Sequence, residues 1–171
     1  MKTYIDSARA EICCFSGYRP EKLPWGTKEN DPRCVKLKEK IRSEVDRLYN
    51  TGVRHFICGM ARGSDTYFCE AVIDARANYR DITIEAAIPC ETQASSWSEA
   101  DRSRYFSLIA QCDRETYVSR KYTHDCMIRR NKYMVDCSGV LLSVFDGRFG
   151  GTMQTITYAS RSGLLIIEIE P

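Results

Sequence analysis

Six short apolar runs alternate with segments of helical period, and that alternation leaves little freedom in the fold. The runs cover residues 11–16 (EICCFS), 53–58 (VRHFIC), 82–88 (ITIEAAI), 115–119 (ETYVS), 140–145 (VLLSVF) and 164–169 (LLIIEI). Several are almost continuously apolar, as expected of strands buried on both faces of a parallel sheet. The intervening spacing predicts helices. Asp31 is placed to cap the first, with Pro32 at its opening position, Leu37, Ile41, Val45 and Leu48 on one face, and Gly52 at its end. A second begins near Ser64, with Phe68, Val72 and Ala75 inward; a third spans about 95–111, with Trp97, Tyr105, Leu108 and Ile109. A fourth starts near Thr123, with Met127 and Met134 inward, and a fifth follows Gly151, carries Ile156 and Ala159, and stops at Gly163. Parallel neighbours need crossover helices, so the pattern predicts a doubly wound α/β fold. The expected sheet is mostly parallel, with about six strands and helices on both faces. The 171 residues suit one domain over residues 1–171, with no internal repeat or linker.

Composition excludes several function classes. The net charge of +2 provides no strong field for DNA, RNA or anionic lipid, so nucleic acid is not expected as a partner. No apolar run reaches the length needed to cross a bilayer. The opening residues MKTYIDSARAE lack the apolar core of a signal peptide. Nine cysteines is an odd count, and Cys13, Cys14, Cys58 and Cys137 lie inside apolar runs. They read as unpaired thiols of a reducing cytosol, which places the protein in the cytoplasm.

In an open α/β sheet, ligands bind beyond the carboxyl ends of the strands, near the point where strand order reverses. The loops there are SGYRP (16–20), GMARGSD (59–65), PCETQ (89–93) and DGRFGGTMQT (146–155). Gly59 and Gly63 flank one turn into a helix; Gly150, Gly151 and Thr152 form another. Bare amides at a helix start, with the helix dipole, favour an anion. Arg19, following Gly17, and Arg62 are placed to clamp a phosphate bidentately, and Asp65 to bind a ribose hydroxyl. Arg130 and Asn131 are flanked by Met127, Met134 and Val135, so part of that cluster faces inward, where an arginine needs an anionic partner. Trp25 lies in the long first loop, where it is placed to stack on a base; Trp97 reads as core by its helical register. Neither glycine loop is a Walker A motif or a G-x-G-x-x-G fingerprint. No metal site is indicated: there is no C-x-x-C, and His55 and His124 stand far apart.

Taken in order, SGYRPEKLPWG, FICGMARGSD, AAIPCETQASSW, YTHDCMIRRNKYMVD and VFDGRFGGTMQT resemble the YpsA-like family of the SLOG superfamily. That superfamily also holds the LOG-type nucleoside-monophosphate phosphoribohydrolases and the DNA-processing protein DprA. The resemblance covers about residues 11–169. It implies a Rossmann-like fold and a pocket for a nucleotide or nucleotide-derived ligand, ADP-ribose-like or a nucleotide sugar. LOG enzymes carry an arginine on the helix before the glycine loop, then GGxGTxxE. Arg130 sits in the matching helix, and Gly150, Gly151 and Thr152 match the end of the GGxGT portion. The position of the catalytic glutamate is Thr155, which cannot steady positive charge on a ribose. The expectation is therefore a binding or sensing module. An enzyme hydrolysing an N-glycosidic or phosphate bond, with Glu91 or Asp146 replacing the missing glutamate, is the alternative. DprA-like binding of single-stranded DNA is a third. Homodimer formation is expected by analogy with related folds.

Overall fold

The six apolar runs become six strands: β1 (Ile12–Ser16), β2 (His55–Cys58), β3 (Thr83–Ile88), β4 (Arg114–Tyr117), β5 (Val140–Val144) and β6 (Leu165–Ile169). They form a sheet in the order β4-β3-β2-β1-β5-β6, and every neighbouring pair is parallel. The helices are α1 (Ser7–Ala10), α2 (Pro32–Asn50), α3 (Ser64–Ala75), α4 (Glu99–Ile109), α5 (Cys126–Cys137) and α6 (Gly151–Arg161). This computed structural model describes residues 7–171; the reading of the N-terminal segment falls partly on residues 1–6, outside the described residues. No described helix is long and apolar enough to cross a membrane.

The period of two along each strand sorts the core onto the two faces. Cys13, Phe15, Phe56, Ile84, Ala86 and Leu142 point towards α2, α3 and α4, where Leu37, Ile41, Val45, Phe68, Val72 and Leu108 meet them. Phe15 stacks on Phe68 with ring centroids 4.5 Å apart. Cys14, Ile57, Ala87 and Leu141 point the other way, onto Met134 and Val135 of α5 and Ala159 of α6. Each large side chain so buried contributes about 2 kcal/mol by removal from water. The nine cysteines are all unpaired thiols.

Element ends follow their capping chemistry. The Asp31 side chain accepts from the Arg33 amide at 2.9 Å, with Pro32 in the first turn, as its spacing predicts. Gly52 follows that helix with φ +109°, a conformation costly for any residue with a Cβ. α4 starts four residues later than its periodicity predicts. Residues 90–97 close successive turns instead, and Ser98 caps the helix by accepting from the Asp101 amide at 3.1 Å. α5 starts three residues later than expected, because Thr123 donates to the Asp125 carboxylate at 2.9 Å in a local turn. α1 has no periodic signal. Arg9 ties it down by donating to the Ser138 carbonyl at 2.8 Å and the Val135 carbonyl at 3.2 Å.

One charge lies inside the sheet. Glu85, midway along β3, is 2% exposed. It accepts from Tyr133 at 2.5 Å, Thr116 at 2.6 Å and His55 at 3.1 Å, and Arg114 stands 4.0 Å away. Burial raises the carboxyl's pKa, but those donors overcome it and hold it at about 2, against an ordinary 4.5. A carboxylate depressed on folding stabilises the fold fully above its unfolded pKa and loses that contribution as pH falls towards the folded value. Glu85→Gln is therefore expected to cost about 3 kcal/mol at pH 7. It should also flatten the loss of stability between about pH 4.5 and about pH 2. Urea unfolding at a series of pH values measures both effects.

Candidate functional site

Strand order reverses at β1. The chain steps outward through β2, β3 and β4, then returns to place β5 on the other side of β1. The crevice beyond the carboxyl ends of β1 and β5 is where a doubly wound sheet offers a ligand site. A cleft of about 320 Å³ lies there. Ser16, Gly17, Tyr18, Arg19, Glu21 and Lys22 line it from the first loop, Asp65 from α3, Met127, Arg130 and Asn131 from α5, and Gly151, Thr152 and Gln154 from α6.

Arg130 is 4% exposed yet has no carboxylate in ion-pair contact among the described residues. Its Nη1 donates to the Gly59 carbonyl and, at 3.4 Å, to the Ala87 carbonyl; its Nε donates to Asn131 at 2.8 Å. Nη2 makes no hydrogen bond within the described chain, and the residue lines the cleft. Burial lowers the pKa of this guanidinium, with Asp65 pulling the other way. Gly59 fits Arg130 closely, since an added Cβ would collide with the guanidinium. Arg19 likewise has no acidic partner among the described residues, and its Nη2 lies 3.9 Å from the Met127 sulfur. Two arginines without a direct ion pair thus line one cleft, with Asp65 acting on both through space, and their free N–H groups suit an anion.

The two glycine turns play different parts. At α6, no acceptor within the described chain meets the amides of Gly151, Thr152 and Met153, and an added Cβ on Gly151 would touch nothing. These are the donors a helix start leaves open, and the dipole makes the spot favourable for negative charge. At α3, the corresponding mouth is closed. The Ser64 amide and hydroxyl both donate to the Tyr18 carbonyl, at 3.1 and 2.6 Å, and the Asp65 carboxylate accepts from the Ala61 amide at 3.1 Å. Gly63 serves loop packing there: its φ is +83°, and a Cβ would lie 2.8 Å from the Tyr18 carbonyl oxygen.

Arg62 does not line the cleft; it pairs with Glu21, which does, at 2.5 Å and with Asp101 at 3.7 Å, over the Trp97 ring. Glu91 is exposed in the loop after β3 and does not line the cleft. Asp65 does line it, 5% exposed; burial pushes its carboxyl up, opposed by Arg130 and the Ala61 amide. Asp146 accepts from Arg148 at 2.9 Å and from Tyr18 at 2.6 Å. The Arg148 bond in particular holds its carboxyl at about 2. Arg148 also donates to the Lys22 carbonyl at 2.6 Å, and Lys22 to the Phe149 carbonyl at 2.7 Å, so the loops after β1 and β5 are tied together. Asn131 bridges α5 to α6, donating to the Thr155 hydroxyl at 3.0 Å. Thr155 donates in turn to the Gly151 carbonyl at 2.9 Å. Trp25 is buried in the core at 4% exposure, so it is not free to stack on a ligand. No group of described His, Cys, Asp and Glu side chains is arranged to hold a metal.

Ser16, Lys22 and Gln154 line the cleft without having been singled out. For Ser16 the signal is a hydroxyl closing an apolar strand. Ser143, in register beside it on β5, interrupts VLLSVF in the same way, and its buried hydroxyl has no partner among the described residues.

An all-parallel doubly wound sheet, with an open helix start at its switch point, defines a Rossmann-like α/β protein. The chain belongs to the YspA SLOG family: the family's model, YpsA, matches residues 13–162. It is similar to a UPF0398 protein of Bacillus velezensis, 23% identical over 144 residues that cover 83% of this chain and 79% of that one. A UPF0398 protein of Bacillus thuringiensis is 24% identical over 154 residues, 88% of this chain and 83% of the relative. Among solved structures, DNA processing protein A (DprA) of Streptococcus pneumoniae shares the fold with a TM-score of 0.61 at 14% identity. The match covers 92% of this chain but only 49% of DprA, so the chain spans about half that protein's length.

Gly63→Ala is expected to destabilise the protein by about 2 kcal/mol, because the left-handed backbone and the Tyr18 carbonyl both resist a Cβ. Thermal unfolding reads the loss.

Proposed function

We propose that the cleft between β1 and β5 binds the phosphate end of a nucleotide or nucleotide-derived ligand, and that the protein acts as a binding or sensing module. One observation carries this: the buried Arg130 has no carboxylate counterion among the described residues and leaves Nη2 unbonded in a cleft that the open α6 amides also face. A buried charge without a partner is costly, and a bound anion relieves that cost. Arg19 adds a second guanidinium without a direct ion pair, and Thr152 contributes a hydroxyl to the cleft wall. Asp65 faces the cleft where a ribose hydroxyl can reach it.

Binding is favoured over hydrolysis by the state of the acids. Cleaving a glycosidic bond needs a carboxylate able to steady charge or activate water. Thr155 has its hydroxyl committed to Gly151 and Asn131. Asp146 is neutralised by Arg148, and Glu91 stands outside the cleft.

The test is differential scanning fluorimetry with phosphate, pyrophosphate and a panel of nucleotides, nucleotide sugars and ADP-ribose. Stabilisation by phosphorylated members is expected, growing with concentration as linkage requires. Arg19→Ala, on an exposed side chain, should weaken it about tenfold without unfolding the protein. No stabilisation by any member overturns the proposal. Product formation from a stabilising member turns the module into a hydrolase. A salt-sensitive shift of oligo-dT that Arg19→Ala abolishes moves the ligand to single-stranded DNA.

A further inference from the structure

Directly beside the phosphate cleft, a groove of about 390 Å³ runs along the outer seam between α5 and α6. The two cavities share the lining residues Ile128, Asn131, Gly151 and Gln154, so they lie side by side at the start of α6. The groove's upper part is apolar. Phe149 is 78% exposed, Ile128 48% and Met153 38%, and all three line it. Exposed apolar side chains clustered around a concavity mark a binding surface far more often than single ones do. No acidic side chain lines the groove.

Two details give the groove a chemical preference. Phe149 is held at its mouth by the backbone, since Lys22 donates to its carbonyl at 2.7 Å, while its ring is left free. A ring so presented is a stacking platform for a planar partner. Beside it, the Gln154 side-chain amide makes no hydrogen bond within the described chain. It therefore offers both a donor and an acceptor to the edge of a planar heterocycle. Among the other polar lining residues, Asn131 and Thr155 are bonded to each other, and Lys132, Thr157, Tyr158 and Arg161 complete the set.

We infer that this seam receives the base of the ligand, stacked against Phe149 with Gln154 at its polar edge. The inference rests on the phosphate site proposed above. It makes the ligand a nucleoside 5′-phosphate or a derivative that keeps the base, rather than a sugar phosphate alone.

Calorimetric titration of the whole chain with AMP and with ribose 5-phosphate separates the two claims. Wild type should bind AMP at least about tenfold more tightly than ribose 5-phosphate, the size of one base–aromatic stack. Phe149→Ala should bring AMP affinity down towards that of ribose 5-phosphate and leave ribose 5-phosphate binding unchanged. Arg19→Ala should weaken both compounds alike. Equal affinities in wild type, or AMP binding indifferent to Phe149→Ala, overturn the base site while the phosphate site stands. Binding of neither compound removes both. Sedimentation velocity covers the other occupant. A wild-type dimer that Phe149→Ala converts to monomer, with AMP binding unchanged, assigns the seam to a second copy of the chain and overturns the inference.

Discussion

A guanidinium enclosed beneath the carboxyl ends of β2 and β3 organises this end of the molecule. Arg130 reaches from α5 under the loop that follows β2, bonding the carbonyls of Gly59 and Ala87. Those bonds secure the α5 helix over the sheet and tie the ends of β2 and β3 to it. They satisfy the side chain's hydrogen-bonding capacity only in part and its charge not at all, because carbonyls are dipoles rather than counterions. The fold therefore keeps a positive centre at its switch point. Gly59 permits this, having no Cβ to displace the arginine.

Around that centre, polar groups fall into two classes. Many are committed: Ser64 to the Tyr18 carbonyl, Asp146 to Arg148 and Tyr18, Arg62 to Glu21, and Asn131 and Thr155 to each other. They hold two loops and two helices at fixed spacing, as a preorganised site requires. The others face the cleft with capacity to spare: the α6 amides, Arg19, the outer nitrogen of Arg130 and the amide of Gln154. The spare groups are cationic or neutral donors almost throughout. Asp65 is the exception: burial pushes its carboxyl up, and Arg130 and the Ala61 amide oppose that. Among the charged side chains that line the cleft, Arg19, Lys22 and Arg130 outnumber Glu21 and Asp65.

Part of the geometry of the candidate site is legible in the sequence because helix starts and glycine spacing are local. DGRFGGTMQT announces a strand-to-helix turn, and the structure opens α6 at Gly151 with its amides free. Arg130 and Asn131 were separable from a solvated helix face by their apolar flanks. The second glycine turn looks equivalent on the same grounds, yet its helix mouth is filled by a carbonyl 46 residues distant in the chain. Arg62, beside that turn, finds Glu21 and Asp101, which no local pattern connects to it. Trp25, in a loop rich in charge and proline, looked exposed and is core, because Tyr67, Leu37 and their neighbours close over the loop. The buried Glu85 was in plain view inside ITIEAAI, but its three donors come from β2, β4 and α5.

The sequence by itself determined the number of strands and their succession along the chain, the mostly parallel sense of the sheet and much of the buried face of α2 and α3. Hydrophobic period and caps act within one turn or one strand, and they survive any arrangement of the rest. Only the tertiary structure decided which of two similar glycine turns stays open, which arginines stay without a direct ion pair and where an exposed aromatic borders the cleft. Those outcomes depend on partners brought together by the return of β5 to the side of β1. Coulombic and hydrogen-bond satisfaction are set by distance in space, which the order of residues along a chain does not record.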